Sequence, residues 1–291
     1  MGHYVIINAK KKPALIEPGD ATIHQTHYAG HAVDLIHSIC DSDPIAEIHV
    51  YGGDGSVFEA VNAIMTSGHA STASIVIHPF GTGNDFARNF KSVEEGKDLT
   101  IDLIRFNDHY AANEVNLGFD CDVVALSHKI KKIPLCKGGF AYMISAILTL
   151  FRKMGREFEI SFTDIDGSMT TMQSNLLLCL ISNGAFYGGG FHCAPRASLT
   201  DGYLELILVK KISRLSFLKF FLGYRKGEHI LPDGTIPPKY AKILKYHRVT
   251  SVKIKNAGRV CADGELFDCE DLCINVVKGA FRISVIPRAA K

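Results

Sequence analysis

The sequence contains no apolar run long enough to cross a membrane and no regularly spaced cysteines, and these absences exclude several classes of protein. A transmembrane helix needs roughly 18–20 consecutive apolar residues, whereas the longest candidate, GGFAYMISAILTLF at 138–151, is shorter and is flanked by basic residues. The eight cysteines form no CxxC pair, so we expect reduced thiols rather than a disulfide scaffold or a zinc site. The opening MGHYVIINAKKK reads as a strand followed by lysines, not as a secretory signal. We therefore expect a cytoplasmic protein.

The phosphate-binding signatures of the commonest nucleotide folds are also absent. Neither GxxxxGKS/T nor GxGxxG occurs, which argues against a P-loop NTPase or a dinucleotide-dependent dehydrogenase. The sequence has no recognised nucleic-acid-binding motif, internal repeat or low-complexity linker, so we expect no nucleic-acid partner. With 291 residues, 47% of them hydrophobic and 21% charged, the chain is a folded protein that is long enough for two domains.

Acidic residues are missing from three long segments, although the net charge is only +2. The segments are 123–156, 206–227 and 236–262, and they hold twenty of the 32 Lys and Arg residues. One stretch, RLSFLKFFLGYRK at 214–226, mixes cations with Phe and Leu, which favours peripheral contact with an anionic membrane surface. The alternative is a solvated face on which lysine stems cover apolar surface. The oligomeric state stays open, with a homodimer as one option.

The order of apolar segments predicts two domains of different architecture. Over residues 1–105 strands alternate with helices, which is typical of an α/β domain with a Rossmann-like parallel sheet. Over residues 106–279 short apolar runs separated by turns predict a mainly antiparallel β-sandwich. The last strand, at about 280–291, could return to the first domain. The predicted strands of the first domain are 3–8, 47–51 and 73–80, its helices are 30–40 and 56–66, and the helices of the second domain are 139–153 and 213–224.

The stretch VYGGDGSVFEAV at 50–61 joins an apolar strand to a helix through a loop of three glycines and one aspartate. Ser56 and Glu59 have the spacing of a capping box, which predicts that the helix begins at Ser56. The unpaired amides and the helix dipole of such a loop favour phosphate. Asp54 would repel a phosphate unless a cation lay between them, so the loop predicts magnesium as well as a nucleotide. The alternative is an ordinary βα turn.

A second stretch, PFGTGNDFARN at 79–89, repeats this order of strand, glycines and aspartate. Consecutive strands of a parallel sheet place their C-terminal ends at one edge, where ligands bind. We therefore expect Asp54 and Asp85 to face each other across a gap the size of a phosphate. The two loops together are far more specific than either loop alone.

The pair GGDGS and GTGND resembles the diacylglycerol kinase catalytic family, a group of soluble bacterial lipid kinases related to sphingosine and ceramide kinases. The resemblance covers nearly the whole chain and implies ATP and Mg²⁺ as cofactors and a lipid hydroxyl as phosphate acceptor. The most direct expectation is conversion of diacylglycerol to phosphatidic acid at the inner face of the membrane. The nucleotide-binding residues that it implies are Asn8, Thr26, Gly52, Gly53, Asp54, Gly55, Ser56, Gly81, Thr82, Gly83 and Asn84.

Two further stretches extend the resemblance to the catalytic acids. TIDLIRFN at 100–107 implies that Asp102 joins Asp54 and Asp85 in an acidic cluster. CADGELF at 261–267 resembles the DGE motif of the family and implies that Glu265 is the catalytic base.

A third stretch, APRASLTDGYLEL at 194–206, resembles a loop that holds a structural magnesium ion. The resemblance implies that Asp201 binds this ion together with the main-chain oxygens of Ser198 and Tyr203.

The chain also departs from the family pattern, and two other functions stay open. After the first strand it reads INAKKKPA, which keeps Asn8 but lacks the usual glycine, so we expect Lys10 to Lys12 to grip the triphosphate instead. A soluble NAD kinase shares the GGDG loop and the two-domain plan, although GTGNDFAR and LTDGYLEL resemble the lipid kinases. The third reading is a nucleotide-binding regulator without transferase activity.

Overall fold

A computed structural model describes residues 2–8, 18–91, 93, 97–130, 138–152 and 154–286, with the side chains of 138–143 excepted. The segment from Lys10 to Lys12, which we expected to grip the triphosphate, lies outside the described residues. All fourteen described strands belong to one mixed sheet, which contains both parallel and antiparallel pairs.

The N-terminal part is a parallel sheet covered by two helices. Its strands lie side by side in the order β2-β1-β3-β4, and its core is built from isoleucine and valine on the strands and on the inward helix faces. The parallel α/β architecture is therefore confirmed. The elements are β1 (His3–Asn8), β2 (Thr22–Thr26), α1 (His31–Ser42), β3 (Glu47–Gly52), α2 (Asp54–Thr66) and β4 (Ser74–Pro79).

The start of α2 differs from the prediction. The helix begins at Asp54 with Gly53 as its N-cap, and no side chain caps it. The prediction of a capping box formed by Ser56 and Glu59 is therefore wrong. Glu59 instead accepts a hydrogen bond from the backbone N–H of Gly30, with the two atoms 3.0 Å apart. Because the extended backbone of Gly53 turns directly into the helix, Asp54 lies in the first helical turn, where the dipole favours an anion.

The second part is mainly antiparallel, as predicted. Strands β7, β9, β10 and β11 lie side by side, with β12 and β13 as a hairpin beyond β7 and β8 beside β9 and β11. The ranges are β5 (Leu99–Phe106), β6 (His109–Ala111), β7 (Glu114–Gly118), β8 (Arg156–Asp164), β9 (Met169–Ser182), β10 (Leu204–Lys210), β11 (Leu244–Lys255), β12 (Gly258–Ala262) and β13 (Glu265–Cys269).

Three helices lie against this part of the sheet: α3 (Phe119–Ile130), α4 (Gly138–Leu150) and α5 (Arg214–Lys226). The predictions for 139–153 and 213–224 are confirmed, whereas α3 was not predicted. The sequence features that could have indicated this helix are two aspartates in its first turn and a histidine and a lysine in its last turn. No helix among the described residues is long and apolar enough to span a bilayer.

The last described strand, β14 (Leu272–Val285), connects the two parts. Its first half pairs antiparallel with β11, and its second half pairs in parallel with β4, where Arg282 is opposite Ser74. Both halves pair antiparallel with β5 on the other side. The register shifts between Val277 and Phe281, where Gly279 has a φ of 53°. One strand therefore contributes to both the parallel and the antiparallel regions.

Candidate active site

The two glycine loops touch each other through their backbones. A Cβ atom on Gly53 would lie 2.9 Å from the Cα of Gly81, and a Cβ atom on Gly81 would lie 2.6 Å from the Cα of Gly53. Neither position can accept a side chain without moving a backbone, which explains the glycines. The contact brings the starts of α2 and of the following 3-10 helix, Phe86–Phe90, to one edge of the sheet.

Asp54 and Asp85 converge at this edge, as predicted. Oδ1 of Asp54 accepts a hydrogen bond from the N–H of Phe86, at 3.1 Å. A Cβ atom on Gly83 would lie 2.9 Å from Oδ2 of Asp54 and 3.6 Å from Oδ2 of Asp85. Burial, with a smaller contribution from the charge of Asp85, raises the pKa of the Asp54 carboxyl. A cation between the two carboxylates would relieve this repulsion, so the donor set fits Mg²⁺.

Asp85 has partners of its own that fix its side chain. The N–H of Gly189 donates to Oδ2 of Asp85 at 2.7 Å, and Nε of Arg88 lies 3.2 Å from Oδ1. Each of the two acids therefore accepts a backbone hydrogen bond, and Asp85 also lies beside a guanidinium.

Glu265 reaches the same place from the opposite end of the chain. It follows the two-residue turn Asp263-Gly264, whose φ angles of 47° and 89° are those of the turn that closes a tight hairpin. Oε1 of Glu265 lies 3.3 Å from the position of a Cβ atom on Gly55. The exposed carboxylate of Glu265 therefore lies beside the loop that carries Asp54.

The neighbouring residue, Asp263, holds the hairpin in place and was not predicted to matter. Its carboxylate accepts hydrogen bonds from the backbone N–H groups of Ala112, Asn113 and Glu114, at 2.7, 3.0 and 2.9 Å. Burial raises the pKa of Asp263 to about 6 and, together with the charge of Asp263, raises the pKa of Glu114 well above its usual value. The sequence signal was the Asp-Gly pair, which by itself indicates only a turn.

The three acids line one end of a cavity of about 850 Å³. Away from them, the cavity runs between the sheet and the helices α3, α4 and α5. Its polar end is formed by Asp54, Asp85, Glu265 and the glycine loops. Its far end, which we call the apolar arm, is lined by Phe119, Val123, Ile147, Leu150, Leu177, Leu178, Val209, Phe217, Leu218, Phe220 and Phe221.

A smaller cavity of about 420 Å³ lies on the other side of the first turn of α2. Thr26 and Ser56 line it together with apolar side chains from α1 and β3. Asn8 is the last residue of β1 and is paired with Thr26, the last residue of β2. Asn8 is therefore adjacent to a residue that lines this cavity. The predicted nucleotide residues are therefore divided between two cavities that share the loop after β3.

Six of the predicted nucleotide residues line the larger cavity, namely Gly53, Asp54, Gly55, Gly81, Thr82 and Gly83. Two others shape the loops and do not line either cavity. Asn84 folds back on Gly81, accepting from its N–H at 2.8 Å and donating to its carbonyl at 3.1 Å. The carbonyl of Gly52 accepts from the N–H of Phe80 at 2.7 Å.

Asp102 does not line the cavity that Asp54, Asp85 and Glu265 share, so its predicted place in the acidic cluster stays a prediction. Its two carboxylate oxygens accept hydrogen bonds from the N–H groups of Gly202, at 2.6 Å, and Gly279, at 2.8 Å. Asp102 is buried and does not line the cavity. Its carboxylate therefore ties the 199–202 loop to the irregular point of β14.

The carboxylate of the predicted structural magnesium loop is paired with an arginine in this structure. Oδ1 of Asp201 accepts from the N–H of Tyr203 at 3.1 Å, and Oδ2 accepts from Nη2 of Arg248. The guanidinium of Arg248 also lies 4.9 Å above the Tyr203 ring, and Nζ of Lys278 lies 5.0 Å from the same ring. The guanidinium of Arg248 thus already neutralises the Asp201 carboxylate and would compete with a divalent ion at Asp201, Ser198 and Tyr203.

We therefore expect the stability of the loop to depend on Arg248 and not on magnesium. Nε of Arg248 also contacts Oε1 of buried Glu205 at 3.1 Å, so Arg248→Met leaves two acids unpaired. The free energy of unfolding should fall by about 2–3 kcal/mol, as measured by urea denaturation. In the absence of nucleotide, EDTA should not change the melting temperature of the unsubstituted protein.

Lys255→Met is the matched control, because it breaks the exposed pair of Lys255 and Glu159 and should have little effect. A melting temperature that falls in EDTA and is restored by MgCl₂ would contradict the assignment to Arg248.

Two family models match adjoining parts of the chain. The diacylglycerol kinase catalytic domain matches residues 6–112, and the YegS C-terminal NAD kinase beta sandwich-like domain matches residues 113–285. Together they cover the elements that form both cavities.

Relatives and solved structures agree with the family models. The chain is 30% identical to a probable lipid kinase YegS-like protein of Shewanella frigidimarina over 62% of this chain and 61% of that one. It is 29% identical to a diacylglycerol kinase of Staphylococcus carnosus over 71% of this chain and 65% of that one. The alignments thus span less than two thirds of these relatives.

A crystal structure of a putative diacylglycerol kinase from Bacillus anthracis has the same fold, with a TM-score of 0.71 and 20% identity over 97% of this chain and 96% of that one. Because the C-terminal model alone matches more than half of the residues, the chain belongs to the lipid kinase family that combines a diacylglycerol kinase catalytic domain with a YegS-type β-sandwich domain.

Proposed function

We propose that this protein transfers the γ-phosphate of ATP to the hydroxyl group of a lipid, with diacylglycerol as the most direct acceptor and phosphatidic acid as the product. One observation carries the proposal: three acids from distant parts of the chain converge at one end of a cavity whose other end is apolar. A ligand with a hydroxyl group at the polar end and an alkyl chain in the apolar arm is a lipid alcohol.

The nucleotide is assigned to the two cavities that share the first turn of α2. The smaller cavity, with Thr26 and Ser56, would take the nucleoside. The backbone N–H groups of the two glycine loops would bind the phosphates. Asp54 and Asp85 would hold a magnesium ion, which supplies charge neutralisation of the phosphates when it is bound.

Glu265 is the proposed general base. The oxygen of the lipid hydroxyl forms a bond to the γ-phosphorus, the bond from that phosphorus to the bridging β,γ-oxygen breaks, and ADP leaves. Glu265 accepts the proton of the hydroxyl. The exposed position of Glu265 at the mouth of the polar end supports this role, because a base must reach the attacking hydroxyl within hydrogen-bond distance.

A transfer assay tests the proposal against the two other functions. Purified protein is incubated with labelled ATP, Mg²⁺ and either diacylglycerol in mixed micelles or NAD, and the products are identified by mass spectrometry. We expect labelled phosphatidic acid and no NADP. Formation of NADP would favour a soluble NAD kinase, and ATP binding without transfer to any lipid would favour a regulator.

We also propose that the protein docks on an anionic membrane through α5. Leu215, Leu218 and Leu222 are exposed and lie at helical spacing on one face. Leu218 also lines the cavity, so the apolar arm reaches the surface on this face. Arg214 joins α5 to the end of α4, because its Nε donates to the carbonyl of Leu150 at 2.6 Å.

The docking proposal predicts that Leu215→Glu with Leu222→Glu weakens binding to phosphatidylglycerol vesicles at least tenfold. Burial of one leucine in an apolar phase is worth about 1.5–3 kcal/mol, and the new charges would be repelled by anionic lipid. Vesicle sedimentation at low and high salt measures the effect. Met169→Glu is the control, because Met169 is equally exposed but lies on β9. Equal binding by all variants would contradict the assignment of this face.

A further inference from the structure

Two polar side chains lie between the acids and the apolar arm of the large cavity. Asn116 is on β7, and Asp120 is in the first turn of α3, directly after that strand. Both line the cavity. Asn116 is opposite Cys261 of β12, two residues before Asp263, and thus close to the hairpin that carries Glu265. The polar lining of the cavity therefore continues from the polar end toward the apolar arm.

Both side chains have a buried oxygen without a hydrogen-bond partner. These atoms are Oδ1 of Asn116 and Oδ2 of Asp120, and no described residue donates to either of them. Asn116 is only 1% exposed, so water has little access to it from outside the cavity. Buried polar atoms are nearly always paired. Two such atoms on one cavity wall therefore indicate a ligand that supplies the missing donors.

Among the described residues, no side chain or backbone group donates to these two oxygens. The adjoining wall is formed by Phe119, Leu177 and Leu178, and β7 uses its backbone N–H groups in the ladders with β9 and β12. Burial raises the pKa of the Asp120 carboxyl to about 7, which is the behaviour of an acid without a cationic or hydrogen-bonding partner.

We propose that Asn116 and Asp120 form a polar subsite that binds a second hydrogen-bond donor on the acceptor lipid, either a hydroxyl or an amine close to the reacting hydroxyl. This inference rests on the proposed function. Diacylglycerol, the acceptor proposed above, has only the reacting hydroxyl, and its ester oxygens only accept. The preferred acceptor is therefore narrowed to a lipid with a further donor, and transfer to diacylglycerol should be slower. Beside its reacting hydroxyl, a monoacylglycerol keeps one hydroxyl that donates to one of the two oxygens, whereas the ammonium group of a long-chain amino alcohol has donors for both.

A pair of acceptors that differ in one hydroxyl tests the subsite. They are the glycerol monooleate with two free hydroxyls and the oleate monoester of propane-1,3-diol, which has one. We expect the ratio of kcat/KM values to favour glycerol monooleate at least tenfold, because a site built to bind a hydroxyl rejects the analogue that lacks it. A long-chain amino alcohol against its deamino analogue forms the second arm and distinguishes an amine from a hydroxyl.

Asp120→Leu and Asn116→Leu should reduce this ratio to about one, because they lower kcat/KM for glycerol monooleate far more than for the propanediol ester. Asp122→Leu is the matched control, because Asp122 is in the same helical turn but does not line the cavity. A ratio near one in the unsubstituted protein overturns the inference. Equal losses for both acceptors in the leucine variants also overturn it, because they indicate a structural role.

A binding measurement separates failure of the subsite from failure of the kinase proposal. Absence of transfer to any lipid refutes the proposed function. The subsite still predicts that glycerol monooleate raises the melting temperature more than the propanediol ester does, and that Asp120→Leu removes the difference. Equal shifts with both ligands refute the subsite whether or not transfer occurs.

Discussion

Replacement of Glu265 by Gln is expected to lower kcat for lipid phosphorylation by about 10²–10⁴, which is the usual contribution of a general base. The amide cannot accept the proton of the attacking hydroxyl, yet it has the same shape as the carboxylate. The glycine loops and Asp54 are untouched, so the affinity for ATP should change little. Single-turnover assays with labelled ATP, together with calorimetric ATP titration, separate these two effects.

Glu270→Gln is the matched control for this substitution. Glu270 follows β13, the strand that Glu265 begins, and is exposed, but it does not line the cavity. Its variant should retain full activity. Full turnover by Glu265→Gln would remove Glu265 from the mechanism and leave the proton to another acceptor.

Replacement of Asp263 by Ala is expected to lower the free energy of unfolding by about 3–5 kcal/mol, since it removes a buried group with several charge-assisted hydrogen bonds. Three backbone N–H groups at residues 112–114 would lose their acceptor. The same change would release the turn that places Glu265, so activity should fall with stability. Urea denaturation followed by circular dichroism gives the stability directly.

The free energy of unfolding of Asp263→Asn should lie between those of the unsubstituted protein and Asp263→Ala, because the amide retains one acceptor oxygen. Asp268→Ala is the control on the same hairpin, since the side chain of Asp268 is 80% exposed and only loosely paired with Arg259. If Asp263→Ala were as stable as the control, the carboxylate would not be what holds the hairpin against β7.

The fold was largely predictable because the relevant signals are local. Apolar strands followed by glycine loops identified β3 and β4, and the parallel sheet follows from their alternation with helices. The edge strand β2 was missed because four of its five residues are polar, so no alternation of apolar residues marks it. The start of α2 was misplaced because Gly53, rather than a side chain, ends the strand and begins the helix.

The site was predictable only where a loop motif carries the residue. Asp54, Asp85 and Glu265 each belong to such a motif, and the structure places them together. Asp102 and Asp201 also belong to motifs, but their surroundings depend on distant residues such as Gly279 and Arg248, which local sequence does not report. Asn116 and Asp120 were missed because a buried, unpaired oxygen can be recognised only after its neighbours are known.

The path of β14 has a consequence for how substrates enter. A single strand carries main-chain hydrogen bonds to β11 at one end, to β4 at the other and to β5 in both halves. A hinge motion that opened one half of the molecule away from the other would have to break this ladder. We therefore expect the sheet to stay continuous when substrates enter, with any opening confined to the helices that line the apolar arm.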